Sequence, residues 1–175
     1  MDSANFWTQP HSHPIHLIFL CAGNICRSPY AELKFKHLLH KSGKIDPTNF
    51  TIESGGFLTQ KSVQIHPFTR QKLIEELISL DQIDAHFPRT MRKHKQDLLN
   101  ANVLIVMTKD QKNILMPKKY MDKTLLLSEI AEPGKEIDIP DPALITDFQE
   151  YSAIMDVIDG YLQQMIHTLE SLNLY

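Results

Sequence analysis

The stretch Ile15-His16-Leu17-Ile18-Phe19-Leu20-Cys21-Ala22-Gly23-Asn24-Ile25-Cys26-Arg27-Ser28-Pro29-Tyr30-Ala31-Glu32 decides the fold. Its first six residues form a short apolar run of the kind that makes a buried strand. Its end reads as a helix start, with Ser28 as N-cap and Pro29 at the first helical position, where a missing N–H costs nothing. A short loop from a strand end to a helix N-terminus is where backbone N–H groups converge and bind anions.

The loop itself is chemically specific. Five residues separate Cys21 from Arg27. A loop of that size curls so that its amides, from Ala22 through Gly23, Asn24, Ile25 and Cys26 to Arg27 and Ser28, surround one tetrahedral dianion. The planar Arg27 guanidinium grips two phosphate oxygens at once. Cys21 lies at the floor of the cradle, in a positive field that favours the attacking thiolate. Gly23 permits close backbone approach, and Asn24 tolerates the left-handed conformation. The Ser28 hydroxyl is placed to donate to the Cys21 sulfur. A Cys-x5-Arg spacing alone also fits a buried strand cysteine beside a capping arginine; the strand before it and Ser-Pro-x-Ala-Glu after it select the phosphate cradle.

Cys21 to Glu32 closely resembles the phosphate-binding loop of the low-molecular-weight protein tyrosine phosphatases. The rest of the chain also resembles that family in order and spacing, apart from the first fourteen or so residues.

Composition sets the frame. The chain has 175 residues, 42% hydrophobic and 22% charged, with a net charge of −3. That balance fits one soluble globular domain with a substantial core. It gives no reason to expect nucleic acid or an anionic membrane as partner. No apolar run approaches the roughly 18 residues of a membrane helix. Met1 to Pro14 lacks the charged-then-apolar pattern of a signal peptide and reads as a flexible extension, leaving 15–175 as the domain. The two cysteines, both in the loop, are no disulfide framework and fit a reducing cytoplasm. The nine histidines are scattered, with His11 and His13 solvated in the tail, so neither metal nor other cofactor is expected. Oligomeric state is left open.

Periodicity then places the elements. Pro29 to about Lys41 reads as a helix closed by Gly43, and Phe50–Glu53 as a strand broken by Ser54-Gly55-Gly56. Pro67–Asp81 reads as one helix with a buried stripe of Phe68, Ile74, Leu77 and Ile78. Met91–Asn100 is polar and helical; its run Arg92-Lys93-His94-Lys95 reads as a solvated face. Val103–Met107 is a fully apolar strand, Thr124–Leu127 a shorter one, and Thr146–Leu172 a long helix. Alternating strands and helices imply an α/β fold with a parallel sheet, helices on both faces and active loops at the carboxyl ends of the strands. The family resemblance implies four strands in the order 2-1-3-4, with the phosphate loop after the first.

A cysteine phosphatase needs an acid for the leaving oxygen. Asp141, between Pro140 and Pro142, stands where the family keeps its catalytic Asp-Pro, although Asp-Pro by itself is often only a turn. By the same resemblance, Asn24, Ser54 and His86 form a supporting polar network, Arg89 is structural, and Cys26 protects Cys21 from oxidation by forming a reversible disulfide. Without the resemblance, Ser54 is a turn residue, His86 an ordinary histidine and Cys26 a small buried hydrophobe. The implied activity is hydrolysis of phosphotyrosine in a protein substrate through a phosphocysteine.

Two departures bear on selectivity. Where the family commonly places aromatic residues after Asp-Pro, this chain has Ala143-Leu144, with Phe57 or Tyr30 as candidate replacements for the substrate wall. Met107 is followed by Thr108 rather than Asp. Three rivals remain. Related arsenate reductases need further cysteines that this chain lacks. Related protein arginine phosphatases typically carry Thr where this chain has Ile25. The third is a phosphate- or phosphotyrosine-binding module without turnover.

Overall fold

The computed structural model describes residues 3–11, 14–58 and 64–172. His13 lies outside them. Strand β1 (Ile15–Cys21) is the centre of a four-stranded sheet in the order β2-β1-β3-β4, with all neighbours parallel, as the family resemblance implied. The others are β2 (Phe50–Gly56), β3 (Val103–Val106) and β4 (Thr124–Leu126).

Strand alternation divides the core. Ile15, Leu17, Phe19 and Cys21 face the larger cluster, built with helix α1 (Arg27–Ser42) and helix α6 (Phe148–Leu172). Ile18 and Leu20 face a smaller one, closed by Met91, Met116, Tyr120 and Leu98 of the short helix α4 (Lys95–Asn100). The expected helical cover on that face is thus reduced to α4 and the 3-10 turn Lys118–Lys123.

Four expectations change. Helix α1 starts at Arg27 rather than Pro29, and no side chain caps it; Ser28 is already engaged inside the loop. Pro29 still falls in the first turn, where its missing N–H removes no bond. Strand β2 does not stop at Ser54. It runs through Gly55 and Gly56, which pair with Leu20 and Cys21, because cross-strand pairing outweighs the weak strand preference of glycine.

The helix from Pro67 is two helices. Helix α2 (Pro67–Glu75) ends where Leu77 turns left-handed (φ 64°), with Ile78 N–H donating back to Leu73 O, before helix α3 (Leu80–Asp84) begins. This is a helix-ending motif normally marked by glycine. Its consequence is that Leu77 is 85% exposed while Leu73 and Ile78 are buried, so the stripe differs from the expected one. The flexible extension is also corrected: Ser3–Thr8 is a 3-10 turn, and Phe6 and Trp7 are buried in the main core against helix α5 (Leu127–Ala131). Burying two aromatics outweighs the entropy of ordering so short a segment.

No helix among the described residues is long and apolar enough to cross a membrane.

Candidate active site

β1 delivers Cys21 to the carboxyl end of the sheet, and residues 22–26 form the loop over it before α1 begins at Arg27. Cys21 is buried. Its sulfur lies 3.0 Å from Ser28 Oγ and 3.3 Å from the Asn24 backbone N–H. Two donors therefore converge on the position where negative charge on sulfur must be held.

Asn24 is the keystone of the loop. Its backbone is left-handed (φ 57°), a conformation that asparagine adopts at lower cost than most residues. It is held there from four sides. Its Nδ2 donates to Ser28 Oγ (3.0 Å) and Ser54 Oγ (2.8 Å), and its Oδ1 accepts from the Arg89 N–H (3.0 Å). Its carbonyl accepts from His86 Nε2 at 3.1 Å. Burial pushes the His86 ring below its ordinary pKa, so the neutral tautomer makes that bond. Ser54 and His86, expected to support the loop, are thus brought to it.

The structure adds partners that composition and spacing did not assign. Ser54 donates to Glu32 (2.6 Å), which closes the network from α1. Arg89 donates from Nε to the Ser54 carbonyl (2.7 Å) and pairs with Glu53 (2.9 Å). The Ile25 carbonyl accepts from the His66 N–H, and the Cys21 and Ala22 carbonyls accept from Phe57 and Leu58. Gly56 is a further requirement: a Cβ there would stand 2.9 Å from the Gly23 carbonyl carbon and 3.0 Å from both Ala22 O and Asn24 N. The Gly-Gly pair was the only sequence signal for this, and it reads equally as a turn.

Arg27 is 2% exposed. Its Nη1 donates to the Ile139 carbonyl (2.8 Å), its Nη2 meets Asp141 Oδ2 at 2.5 Å, and its Nε–H has no protein partner among the described residues. Asp141, far away in sequence, is thereby brought to Arg27 in the loop that holds Cys21. Within the loop only Ala22 and Ile25 are partly exposed.

Cys26 is buried in the main core beside Tyr151, whose hydroxyl also bonds Thr69 at 2.6 Å, and lies near enough to Cys21, Asp141 and Arg27 to feel their charges. Burial pushes the Cys26 thiol up to about 12, against the opposing pull of the Tyr151 hydrogen bond. Both cysteines are free thiols. Of the two suggested aromatics, Tyr30 forms no open wall, being fully buried with its hydroxyl on the Glu76 carboxylate, whereas Phe57 is half-buried against the smaller core. Leu144, by contrast, is 95% exposed three residues after Asp141.

This geometry has close parallels. The family model described as low molecular weight phosphotyrosine protein phosphatase matches residues 16–173. The chain is 32% identical over 164 residues to the low molecular weight protein-tyrosine-phosphatase YfkJ of Bacillus subtilis, covering 89% of this chain and 96% of the relative. It is 26% identical over 156 residues to the protein-arginine-phosphatase of the same organism, covering 88% and 96%. The crystal structure of Bacillus subtilis YfkJ superposes with a TM-score of 0.74 at 26% identity, covering 93% of this chain and 98% of that one. The crystal structure of a Bacillus subtilis YwlE mutant superposes with a TM-score of 0.76 at 25% identity, covering 89% and 99%. With a buried cysteine, arginine and asparagine locked into one loop and the family model matching nearly the whole chain, this protein belongs to the low molecular weight phosphotyrosine protein phosphatase family.

Proposed function

We propose that this protein is a protein tyrosine phosphatase that hydrolyses phosphotyrosine through a phosphocysteine at Cys21. The observation that carries the reading is the buried Arg27 fork, held at Nη1 by a carbonyl, facing Asp141 at Nη2 and offering an Nε–H without a protein partner, in the same loop as Cys21. A dianionic phosphoryl group satisfies such a fork through two oxygens at once.

In the first step the Cys21 thiolate attacks phosphorus. The S–P bond forms as the bond to the tyrosine oxygen breaks, and Asp141 gives its proton to that oxygen. Arg27 and the loop amides hold the equatorial oxygens, where charge is greatest in the transition state. In the second step Asp141, now a base, takes a proton from water as the water oxygen displaces sulfur. Inorganic phosphate leaves and the thiolate is restored, met by Ser28 Oγ and the Asn24 N–H. What supports Asp141 in both steps is a side chain 45% exposed beside the buried Arg27. Asn24, Ser54 and His86 position the loop, and Cys26 serves as the resolving thiol when Cys21 is oxidised. Residence in the cytoplasm is part of the same reading, and two cysteines free of disulfides support a reducing compartment. The chemistry uses neither metal nor organic cofactor.

The test is turnover of p-nitrophenyl phosphate and of phosphotyrosine, phosphoserine and phosphoarginine peptides, wild type beside Cys21→Ser, with arsenate reduction as a side assay. Phosphotyrosine turnover lost in the variant is the expected result. Failure to turn over any phosphate, from folded reduced protein, would leave only a binding module. Similarity to an arginine phosphatase favours a second reading, hydrolysis of phosphoarginine. Ile25 weighs against it, because an apolar side chain at the rim offers no hydrogen bond to a guanidinium.

A further inference from the structure

The basic run at residues 92–95 is largely exposed and borders two adjoining cavities, the first of which reaches the phosphate loop at Gly23. The first, about 240 Å³, is lined by Gly23 of the loop together with Leu58, Thr90, Lys93 and His94. The second, about 320 Å³, shares Leu58 and has an apolar floor that includes Phe57, Met91 and Met116, with Arg92, Lys95 and Lys119 on its lining. Among the described residues no carboxylate lines either cavity.

The charges divide cleanly. Arg89 is engaged by Glu53 and Asp97, and His94 faces Asp97 at 3.3 Å. Among the described residues Arg92, Lys93 and Lys95 take part in no ion pair, and Lys119 rests over the Tyr120 ring at 4.7 Å. Four cations with no ion pair among the described residues therefore line these cavities, in a chain whose net charge is −3. The overall charge repels an acidic partner; this one patch attracts it. The second cavity adds an apolar site of a size that takes a bulky side chain. Both cavities are joined to the catalytic loop by the backbone, since Phe57 and Leu58 donate to the Cys21 and Ala22 carbonyls.

We infer that these cavities hold the segment flanking the phosphotyrosine in the substrate protein, and that this segment carries acidic residues together with a bulky apolar one. The inference rests on the phosphatase reading and names its substrate class. A concave site that starts at the phosphate loop suits a peptide continuing from the reacting residue better than a flat anionic surface.

Three peptides with one phosphotyrosine test it: an acidic flank containing leucine, the same flank with serine for leucine, and a lysine flank containing leucine. We expect kcat/KM to fall about tenfold from the first to the third, mainly through KM, and less for the second; added salt narrows the charge effect. Arg92→Glu, Lys93→Glu and Lys95→Glu combined, all on exposed side chains, should flatten or reverse the order while p-nitrophenyl phosphate turnover stays unchanged. Binding of the same peptides to Cys21→Ser, followed by fluorescence anisotropy, should give the same ranking without needing turnover. A protein that fails to hydrolyse phosphotyrosine yet ranks the peptides this way loses the activity and keeps the docking site. Equal values for the three peptides, or a preference that survives the triple substitution, overturns the proposal. So does binding to phosphatidylserine vesicles through these residues with no ranking of peptides.

Discussion

Two loops meet at Arg27 and are held in opposite ways. From Cys21 to Ser28 the chain is tied to its surroundings by both backbone and side chains: carbonyls 21, 22, 24 and 25 all accept from outside the loop, and Asn24 alone engages Ser28, Ser54, His86 and Arg89. From Ile139 to Leu144 the ties are at the base. Ile139 is buried, its N–H bonded to Met107 O and its carbonyl to Arg27, whereas Asp141 and Leu144 are exposed. Prolines 140 and 142 restrict the backbone there, and the hydrogen bonds beyond the base are local ones, from Ala143 N–H to Asp141 Oδ1 and from Ile145 N–H to Pro142 O.

The proposed mechanism accounts for the difference. In it the cradle presents its donors to phosphorus without reorganising during the reaction, so rigidity contributes directly to rate. Asp141 meets first a leaving oxygen and then a water, so a carboxyl on an exposed, proline-restricted segment suits it. Four experiments probe that contrast.

Asp141→Asn should have the largest effect. It should lower kcat by about 100- to 10,000-fold for phosphotyrosine while phosphate still binds the rigid loop. Inhibition by inorganic phosphate measures the retained binding, and a parallel loss of binding would show that the acid loop helps shape the cradle.

Gly56→Ala attacks the cradle from behind. Its Cβ would press on Gly23 and Asn24 at about 3 Å, so the loop must shift. A displacement of that kind costs on the order of 100-fold in kcat. Unchanged kinetics would mean that the loop gives way more easily than its hydrogen bonds imply.

Ser54→Ala removes one hydrogen bond to Asn24 and one to Glu32 from a buried network. Leaving those partners unsatisfied costs about 1–3 kcal/mol. Chemical denaturation should register the loss, and phosphate affinity should fall with it. Stability lost without a change in phosphate affinity would separate the network from the loop conformation.

Glu53→Gln gives the smallest and most conditional effect. The His16 hydrogen bond, with Arg89 beside it, holds the Glu53 carboxyl down to about 2 from an ordinary 4.5. Its contribution to stability is therefore complete above pH 4.5 and disappears as the pH falls through 2. The variant should unfold at slightly lower temperature than wild type at pH 7, by an amount matching at most about 1 kcal/mol for so exposed a pair. The gap should close between pH 4.5 and 2. A gap independent of pH would place the effect in packing rather than charge.

What the sequence by itself determined is local or strongly periodic. The loop from Cys21 to Ser28 is contiguous, β1 and β3 are apolar throughout, Gly43 stands at the end of its helix, and α6 carries an unbroken helical stripe. The order of the strands came with the family resemblance. Only the tertiary structure decided the rest, because each of those outcomes depends on a contact across the chain. Gly55 and Gly56 are strand rather than turn because β1 lies beside them. Phe6 and Trp7 are core because a face near α5 accepts them. Tyr30 is lost to the substrate wall because Glu76 claims its hydroxyl, and Leu77 leaves the buried stripe because α2 ends in a left-handed turn without glycine. Glu32, quoted from the start as part of the motif, gained a role only when Ser54, twenty-two residues away, arrived within 2.6 Å.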